Sequence, residues 1–382
     1  MGAKRMNGYF DNASTTAVAP QVVEAMQPYW QQTYGNPSSL HHMGFLAERA
    51  VETARGELAA LLGCEKSCLF FTSGGTEANN TALFGAARAR RRRGNRIVTT
   101  AIEHASVLES AEELERRGYE VVFLQPDRTG SVTAEQLAAA VDDKTLLVSC
   151  MLVNNETGAV QPILEAAPEI RRKNPDTLIH CDAVQALGKL PLQLRRGAVD
   201  LASVTAHKLY GPKGVGALYV AKGVHIAPLL YGGEQQRGVR PGTESVPLIV
   251  GFGRACALAR EEMARDRAQV RRLAQLLRAG VAGVPGCVLN SPPDALEYIV
   301  NLSVEGVRSE ILLHYLEERG LFVSSGSACA KGKPSHVLAA MDVGRLRADS
   351  ALRVSFSRDN REEDVERLLE ALRAGAERLA KR

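Results

Sequence analysis

The chain contains 382 residues, enough for two or three domains that share substantial hydrophobic cores. Hydrophobic residues make up 45% and charged residues 24%, values typical of globular proteins, which excludes disordered, collagen-like and coiled-coil chains. The net charge of +4 is small for this length and argues against a direct nucleic-acid partner. Because the sequence has neither a membrane-length apolar segment nor an apolar leader, we expect a soluble, cytoplasmic protein.

Short runs of β-branched residues alternate with longer helical stretches between residues 67 and 220, a pattern typical of a parallel sheet with crossover helices. The predicted strands span 68–72, 96–100, 120–124, 145–153, 177–181, 201–205 and 216–220, with helices in the intervals, for example over 76–92 and 133–141. Several of these strands end in polar residues or glycine. Because ligands bind at the carboxyl ends of strands in open α/β sheets, we expect the functional site there.

The pattern changes after about residue 253. A long helix is predicted to about residue 277, followed by strands near 298–303, 321–324 and 351–355 and a final amphipathic helix over 363–379. We therefore expect a large α/β domain over 16–255 and a smaller α+β domain formed by 1–15 and 256–382. The small-residue stretch 324–336 is predicted to be a loop long enough to move.

The sequence SGGTEAN at 73–79 follows a predicted strand and opens a predicted helix. Glycine allows close approach to the backbone, and a helix N-terminus offers unpaired N–H groups, so this turn is a candidate anion-binding site. An ordinary capped turn between strand and helix explains the motif equally well. The spacing of a Walker nucleotide-binding loop is missing.

Two charged residues follow neighbouring predicted strands. Lys208 follows the strand over 201–205 and precedes a Gly/Pro loop, so it should be partly desolvated and suited to form a Schiff base. Asp182 ends the preceding strand, where a carboxylate can hold a pyridinium nitrogen protonated. Taken alone, Lys208 is more simply explained as a solvated lysine. An amine, an acid and an upstream anion cradle are, however, the three fixtures that pyridoxal phosphate (PLP) requires.

Three further residues are candidates for chemistry. His104 follows another predicted strand and could lie against a cofactor ring, cap a helix or lie in the core. Arg353 lies inside an apolar strand and needs a carboxylate partner, either from a substrate or from a structural acid. Cys329 lies among small residues near Lys331 and Lys333, which favour its thiolate, although an inert loop thiol is the simpler alternative. The irregular spacing of the seven cysteines predicts neither disulfides nor a metal site.

Nine motifs together resemble those of the NifS/IscS-like cysteine desulfurases, a group of the class-V, PLP-dependent aminotransferase family. They are FDNASTT (10–16), GNPSSLH (35–41), TSGGTEANN (72–80), EHASV (103–107), NNETGAVQP (154–162), HCDAVQALGK (180–189), TAHKLYGPKGVG (205–216), RPGTES (240–245) and SSGSACA (324–330). The resemblance runs nearly end to end. It implies an α/β, PLP-dependent transferase of fold type I, with a mostly parallel seven-stranded sheet in the large PLP-binding domain and a smaller α+β domain. It also implies a homodimer.

The resemblance implies roles for individual residues. Lys208 would carry the cofactor, Asp182 would contact its pyridine nitrogen, and His104 would stack on its ring and relay protons. The implied cofactor-binding residues are Gly75, Thr76, His104, Asp182, Gln185 (to the ring hydroxyl), Thr205, His207, Lys208 and, from the other subunit, Thr243. Asn155 and Arg353 would bind the carboxylate of the substrate. The implied catalytic residues are Lys208, His104 and Cys329, the last on a loop of the small domain.

The implied activity is the conversion of L-cysteine to L-alanine, with the sulfur carried as a persulfide on Cys329 to an acceptor protein. The segment between Cys329 and Pro334 is shorter than is usual in the family, so the acceptor stays open between an iron–sulfur scaffold and a tRNA-thiolation sulfurtransferase. The alternatives are a selenocysteine lyase or another PLP-dependent lyase, and a non-catalytic sulfur-carrier scaffold. The arginine run at 88–93 is predicted to end a helix as a solvated segment, with a patch that binds an acidic partner or tRNA as the alternative.

Overall fold

The computed structural model describes residues 8–194, 198–325 and 335–379. Its central sheet contains β1 (Leu69–Thr72), β2 (Arg96–Thr100), β3 (Glu120–Leu124), β4 (Thr145–Ser149), β5 (Leu178–Asp182), β6 (Leu201–Thr205) and β7 (Gly216–Val220). The strand order is β1-β7-β6-β5-β4-β2-β3. Strand β7 runs antiparallel to β1 and β6, and the other neighbouring pairs are parallel. The predicted mostly parallel seven-stranded sheet is confirmed.

Strands β4, β5, β6 and β7 are buried along their whole length, as expected for inner strands of a sheet that is covered on both faces. The helices are α1 (Pro20–Met26), α2 (Pro28–Gln31), α3 (His42–Leu62), α4 (Gly75–Arg90), α5 (Ala105–Arg116), α6 (Ala134–Ala139), α7 (Ile163–Lys173), α8 (Val246–Val281), α9 (Ser309–Glu317), α10 (His336–Ala340), α11 (Arg345–Asp349) and α12 (Glu362–Leu379). Helix α4 packs on β6 and β7, and α3 packs along α8. No helix in the described part of the chain has the length and apolarity needed to cross a membrane.

A second, three-stranded antiparallel sheet consists of β8 (Cys287–Leu289), β9 (Ile299–Val304) and β10 (Ala351–Ser355), in the order β10-β9-β8. The predicted strand over 321–324 is wrong. Phe322 forms one isolated bridge to Tyr9 and Ser324 forms one to Arg353, so successive residues pair with different segments and no ladder develops. Strand β8 was not predicted from the sequence, because it is only three residues long and half-buried.

Helix α8 begins at Val246, earlier than the predicted start near residue 253. Within this helix, Gly253 allows close packing of two helices. A Cβ atom at Gly253 would lie 2.5 Å from the Cα atom of Ala54 in α3. The boundary that we expect between residues 255 and 256 therefore falls inside one continuous helix.

The arginine run ends α4 as predicted. The helix ends at Arg90, and Arg93 in the following turn forms a salt bridge of 2.8 Å with Asp176. Arg93 keeps 61% of its side-chain surface exposed, so this pair contributes little to stability.

Candidate active site

A cavity of about 250 Å³ opens where the carboxyl ends of β5 and β6 meet the N-terminus of α4. Ten of the residues that the sequence indicated line this cavity: Gly75, Thr76, His104, Asn155, Asp182, Gln185, Thr205, His207, Lys208 and Arg353. They come from segments that are far apart in the chain, and the parallel topology brings them to one edge of the sheet. The cavity therefore lies at the edge of the sheet where the ends of the strands predict a ligand site.

The structure places one further predicted residue away from this cavity, and another lies outside the described residues. Thr243 is exposed in the turn before α8 and does not line the pocket of its own chain. Cys329 lies outside the described residues, as do Lys331 and Lys333.

The acid and the amine occupy neighbouring strand ends. Asp182 is the last residue of β5, and it pairs in register with Ser203 of β6, the strand that leads to Lys208. Asp182 is 5% exposed, and both of its oxygens accept N–H groups. Oδ1 accepts from the backbone of Val184 at 2.9 Å, and Oδ2 accepts from the amide of Asn79 at 2.8 Å. These two donors fix the carboxylate at the cavity wall.

His104 is held at the start of α5. It is the N-cap residue of that helix, and its Nδ1 atom accepts from the backbone N–H of Ser106 at 3.1 Å. Burial lowers the pKa of His104; the negative charge of Asp182 opposes this effect, and Lys208 and His336 add to it. The imidazole is therefore favoured in its neutral form at neutral pH.

The N-terminus of α4, the candidate anion-binding turn, reaches the cavity through Gly75 and Thr76. Gly75 lies at the first position of this helix, and a Cβ atom there would come within 2.9 Å of a methyl group of Val184. Thr205 and His207 line the cavity beside it. Burial, reinforced by the positive charge of Lys208, lowers the pKa of His207 to about 4. A neutral His207 can donate one hydrogen bond without requiring a charged partner.

Arg353 is 2% exposed, and its first charged partner is a structural acid. Its Nη2 atom donates to Asp11 Oδ1 at 2.8 Å and to Ser14 Oγ at 2.6 Å, while Nη1 donates to the backbone carbonyl of Asn155 at 2.9 Å. The Nε atom is buried and has no hydrogen-bond partner within the described ranges. The sequence left a substrate acid and a structural acid open as the partner of Arg353, and the structure supplies a structural acid, Asp11.

Gln185 is oriented from two sides. Its Nε2 donates to the carbonyl oxygen of Ala13 at 3.0 Å, and its Oε1 accepts from Lys189 Nζ at 3.2 Å. Lys189 was not anticipated. Burial, followed by the positive charges of Lys208 and Arg353, lowers the pKa of Lys189 to about 7.

Sequence reasoning also missed Asn79, Ser106 and Asp11. Asn79 and Ser106 lie inside motifs that the resemblance rests on, and Asn79 is a polar residue among the mostly apolar buried residues of α4. That contrast was the available signal. Asp11 lies in the FDNASTT motif, but its distance in sequence from Arg353 gave no indication that the two would pair.

This donor set fits PLP. A helix N-terminus with a glycine whose Cβ would crowd the cavity wall suits a phosphate group. An amine and a carboxylate at adjacent strand ends suit the aldehyde carbon and the pyridine nitrogen. The Nε–H group of buried Arg353, which has no partner among the residues that the structure describes, suits a substrate carboxylate.

Comparisons with known proteins agree with this geometry. The sequence model of the family "Aminotransferase class-V" matches residues 8–368. The chain is 43% identical to "Cysteine desulfurase IscS" from Methanosarcina thermophila over 95% of its own length and 90% of that protein. A solved structure described as "NIFS-LIKE PROTEIN" superimposes with a TM-score of 0.92 at 40% identity, covering 97% of this chain and 99% of that one. A second, "SspA in complex with cysteine", gives a TM-score of 0.82 at 34% identity over 93% and 100% of the two chains. The chain thus belongs to the aminotransferase class-V family and, within it, to the IscS- and NifS-like cysteine desulfurases.

Proposed function

We propose that this chain is a PLP-dependent cysteine desulfurase, which converts L-cysteine to L-alanine and passes the sulfur to an acceptor protein. The observation that carries the proposal is the single cavity in which Lys208, Asp182, His104 and Arg353 meet the N-terminus of α4. A relative named "Cysteine desulfurase IscS" is 43% identical over nearly the whole chain, which supports the same reaction.

Cysteine as the substrate has two further supports. The relative SspA was solved in complex with cysteine. In this chain, Arg353 keeps an unpartnered Nε–H group among the described residues, and Asn155 lines the same cavity. We propose that these two residues bind the α-carboxylate, because a planar guanidinium offers a charge-assisted hydrogen bond of fixed direction.

The remaining cavity residues hold the cofactor. Thr76, Thr205 and His207, together with the backbone at Gly75, would bind the phosphate group at the N-terminus of α4. Gln185 would donate its remaining amide hydrogen to the ring hydroxyl, since its other contacts fix the orientation of the amide.

When bound, PLP supplies an electrophilic carbon and an electron-withdrawing ring. Lys208 would carry the cofactor and, once freed by the amino group of the substrate, would take the Cα proton on its Nζ atom. Asp182 would keep the pyridine nitrogen protonated, and His104 would cover the ring and move protons at its face. Lys208, Asp182 and His104 would thus act in the steps that precede cleavage of the bond between Cβ and sulfur.

We further propose Cys329 as the sulfur acceptor within the enzyme. Its thiolate would attack the sulfur atom of the substrate, so that an S–S bond forms while the Cβ–S bond breaks. The electron pair of the broken bond stays with Cβ, which then takes a proton to give alanine. The hydrogen of the substrate thiol remains on the outer sulfur of the persulfide.

Anaerobic incubation with L-cysteine, followed by alanine analysis and intact-mass measurement, tests this function. The native enzyme should release alanine and gain the mass of sulfur, and Cys329→Ala should do neither. Alanine formation that survives in Cys329→Ala would instead indicate a selenocysteine-lyase type of reaction. Absence of a visible cofactor band from the native protein would indicate a non-catalytic scaffold.

The assembly is also part of the proposal. We propose a homodimer in which Thr243, exposed in this chain, reaches the phosphate site of the partner, and in which residues 16–255 form the PLP-binding domain. Light scattering should give twice the chain mass. A dimer that mixes one Thr243→Ala chain with one Lys208→Ala chain tests the contribution of the partner. If Thr243 acts on the partner's site, one site carries both substitutions and the other carries neither, so the mixed dimer should have one competent site.

We propose that the acceptor is a protein, either an iron–sulfur scaffold or a tRNA-thiolation sulfurtransferase. Transfer of ³⁵S from the loaded enzyme to each class of purified acceptor would identify which one is served. Failure of transfer to both classes would contradict this part of the proposal.

A further inference from the structure

A continuous chain of hydrogen bonds joins His104 to Asp182 through Asn79 and Ser106. His104 Nδ1 lies 2.8 Å from the Oγ atom of Ser106. The Nδ2 atom of Asn79 lies 2.9 Å from the same Oγ atom and 2.8 Å from Asp182 Oδ2. Asn79 is 1% exposed and Ser106 8% exposed, so bulk water does not compete for these contacts.

The direction of each bond follows from the donors available. The two contacts of Asn79 Nδ2 use both hydrogens of its amide. Its Oδ1 atom is buried and finds no hydrogen-bond partner in the described part of the chain. Turning the amide over would nevertheless place Oδ1 against the carboxylate oxygen of Asp182. The charge of Asp182 therefore sets the orientation of Asn79, and Asn79 must donate to Ser106.

Ser106 then determines the protonation of His104. Because its Oγ atom accepts a hydrogen from Asn79, its own hydroxyl hydrogen is available to His104 Nδ1. The backbone N–H group of Ser106 points to the same nitrogen at 3.1 Å. Two donors converge on Nδ1, so a hydrogen on that atom would face both of them. The proton of a neutral imidazole is then placed on Nε2.

The surrounding charges agree with a neutral ring. The groups that face His104 are Asp182 from β5, Lys208 after β6 and His336 at the start of α10. Burial is the strongest influence, and it disfavours the imidazolium.

We propose that Asn79 and Ser106 are positioning residues that hold His104 as the Nε2–H tautomer and hold Asp182 at the cavity wall. Nδ1 is turned to the start of α5, so Nε2 is the nitrogen left for the cavity. His104 then presents a proton donor there, and removal of the Cα proton is left to Lys208. This inference rests on the proposed function only in requiring that PLP binds in this cavity.

The tautomer can be measured directly in the holoenzyme without substrate. Protein labelled with ¹⁵N-histidine and loaded with PLP is recorded by long-range ¹H–¹⁵N NMR, and the His104 signals are assigned by their loss in His104→Gln. We expect one tautomer, protonated at Nε2. A His104 ring protonated at Nδ1, or at both nitrogens at neutral pH, would overturn the inference, and this measurement needs no destabilised variant.

Two variants test the positioning residues. Ser106→Ala removes the hydroxyl donor, and Asn79→Ala releases the Ser106 hydroxyl, so each should give a mixture of the two tautomers. Ser110→Ala is the matched control, because Ser110 is also buried on α5 and donates to the carbonyl oxygen of Ser106 at 2.8 Å without touching His104. It should keep the native tautomer. Unchanged His104 signals in both test variants would show that the pair does not set the tautomer.

Cofactor affinity gives a second readout that is independent of turnover. Asn79→Ala removes one charge-assisted hydrogen bond from Asp182, so the dissociation constant for PLP should rise about tenfold, whereas Ser110→Ala should leave it unchanged. A native protein that fails to bind PLP would contradict the proposed function itself. A native protein that binds PLP and desulfurates cysteine, but carries the proton of His104 on Nδ1, would contradict only this inference.

Discussion

The carboxyl group of Glu103 offers a quantitative test of the buried layer behind the site. Glu103 is fully buried; Thr100 donates to its Oε1 atom at 2.7 Å, and the backbone N–H of Met151 contacts both oxygens, at 2.9 and 3.1 Å. Burial raises the pKa of Glu103 from its ordinary 4.5 to about 8, the two donors oppose this effect, and Asp182 adds to it. Glu103 is therefore protonated in the folded protein at neutral pH.

The sign of the pH dependence follows from proton binding. Between pH 4.5 and about 8 the folded state holds a proton on Glu103 that the unfolded state has lost, so stability falls as pH rises through this window. At about 1.36 kcal/mol per pH unit, the whole interval corresponds to at most about 5 kcal/mol. Glu103→Gln keeps the shape and neutrality of the protonated side chain and should be free of this penalty.

The assay is urea unfolding of native holoenzyme and Glu103→Gln at several pH values from 5 to 8.5, at one protein concentration. Cofactor binding and subunit assembly contribute equally to the free energy of unfolding of both proteins, so these contributions cancel when one free energy is subtracted from the other. The variant should gain stability relative to the native protein from pH 5 to about 8, and the difference should level off above that pH. A difference that stays constant with pH would refute the conclusion that Glu103 is buried in its neutral form.

Three further perturbations have defined outcomes. Gly75→Ala should weaken PLP binding at least tenfold, because its Cβ atom would lie only 2.9 Å from a valine methyl group. Gly74→Ala is the control, because the space around its Cβ is open, and it should keep the native affinity. Equal affinities of the two variants for PLP would argue against an anion-binding role of this turn. Asp11→Asn should lower the free energy of unfolding by about 1–3 kcal/mol, because buried Arg353 loses its charged partner, and an unchanged urea midpoint would contradict that pairing. Burial lowers the pKa of Lys189 from 10.5 to about 7, so the native protein should gain stability relative to Lys189→Met as pH rises from 7 to 10. A loss of relative stability over this range would contradict the conclusion that burial disfavours the charged form of Lys189.

The central features of the site could be predicted from sequence because they depend on topology. Asp182 and Lys208 are separated by one crossover step, and parallel strands place their carboxyl ends at one edge. The same reasoning placed His104 and the turn before α4. Strand ends are local signals, so a single sequence is sufficient to recognise them.

The parts that could not be predicted depend on contacts between distant segments. The bond from Asn79 to Asp182 depends on the rotation of α4 about its axis, and the pair of Asp11 and Arg353 joins the two ends of the chain. The close approach of α8 to α3 at Gly253 likewise joins distant segments, at a glycine that would usually weaken a helix. Tertiary packing determined each of these outcomes, and no local pattern carried the information.

The most direct test of the account is the location of the cofactor in the chain. Borohydride reduction of the PLP-loaded enzyme makes the lysine link permanent, and digestion followed by peptide mass spectrometry identifies the modified residue. The account predicts the pyridoxyl phosphate mass on the peptide that contains Lys208, at Lys208 itself and not at Lys213. Modification of another lysine, or stable PLP binding with no modified lysine, would contradict it.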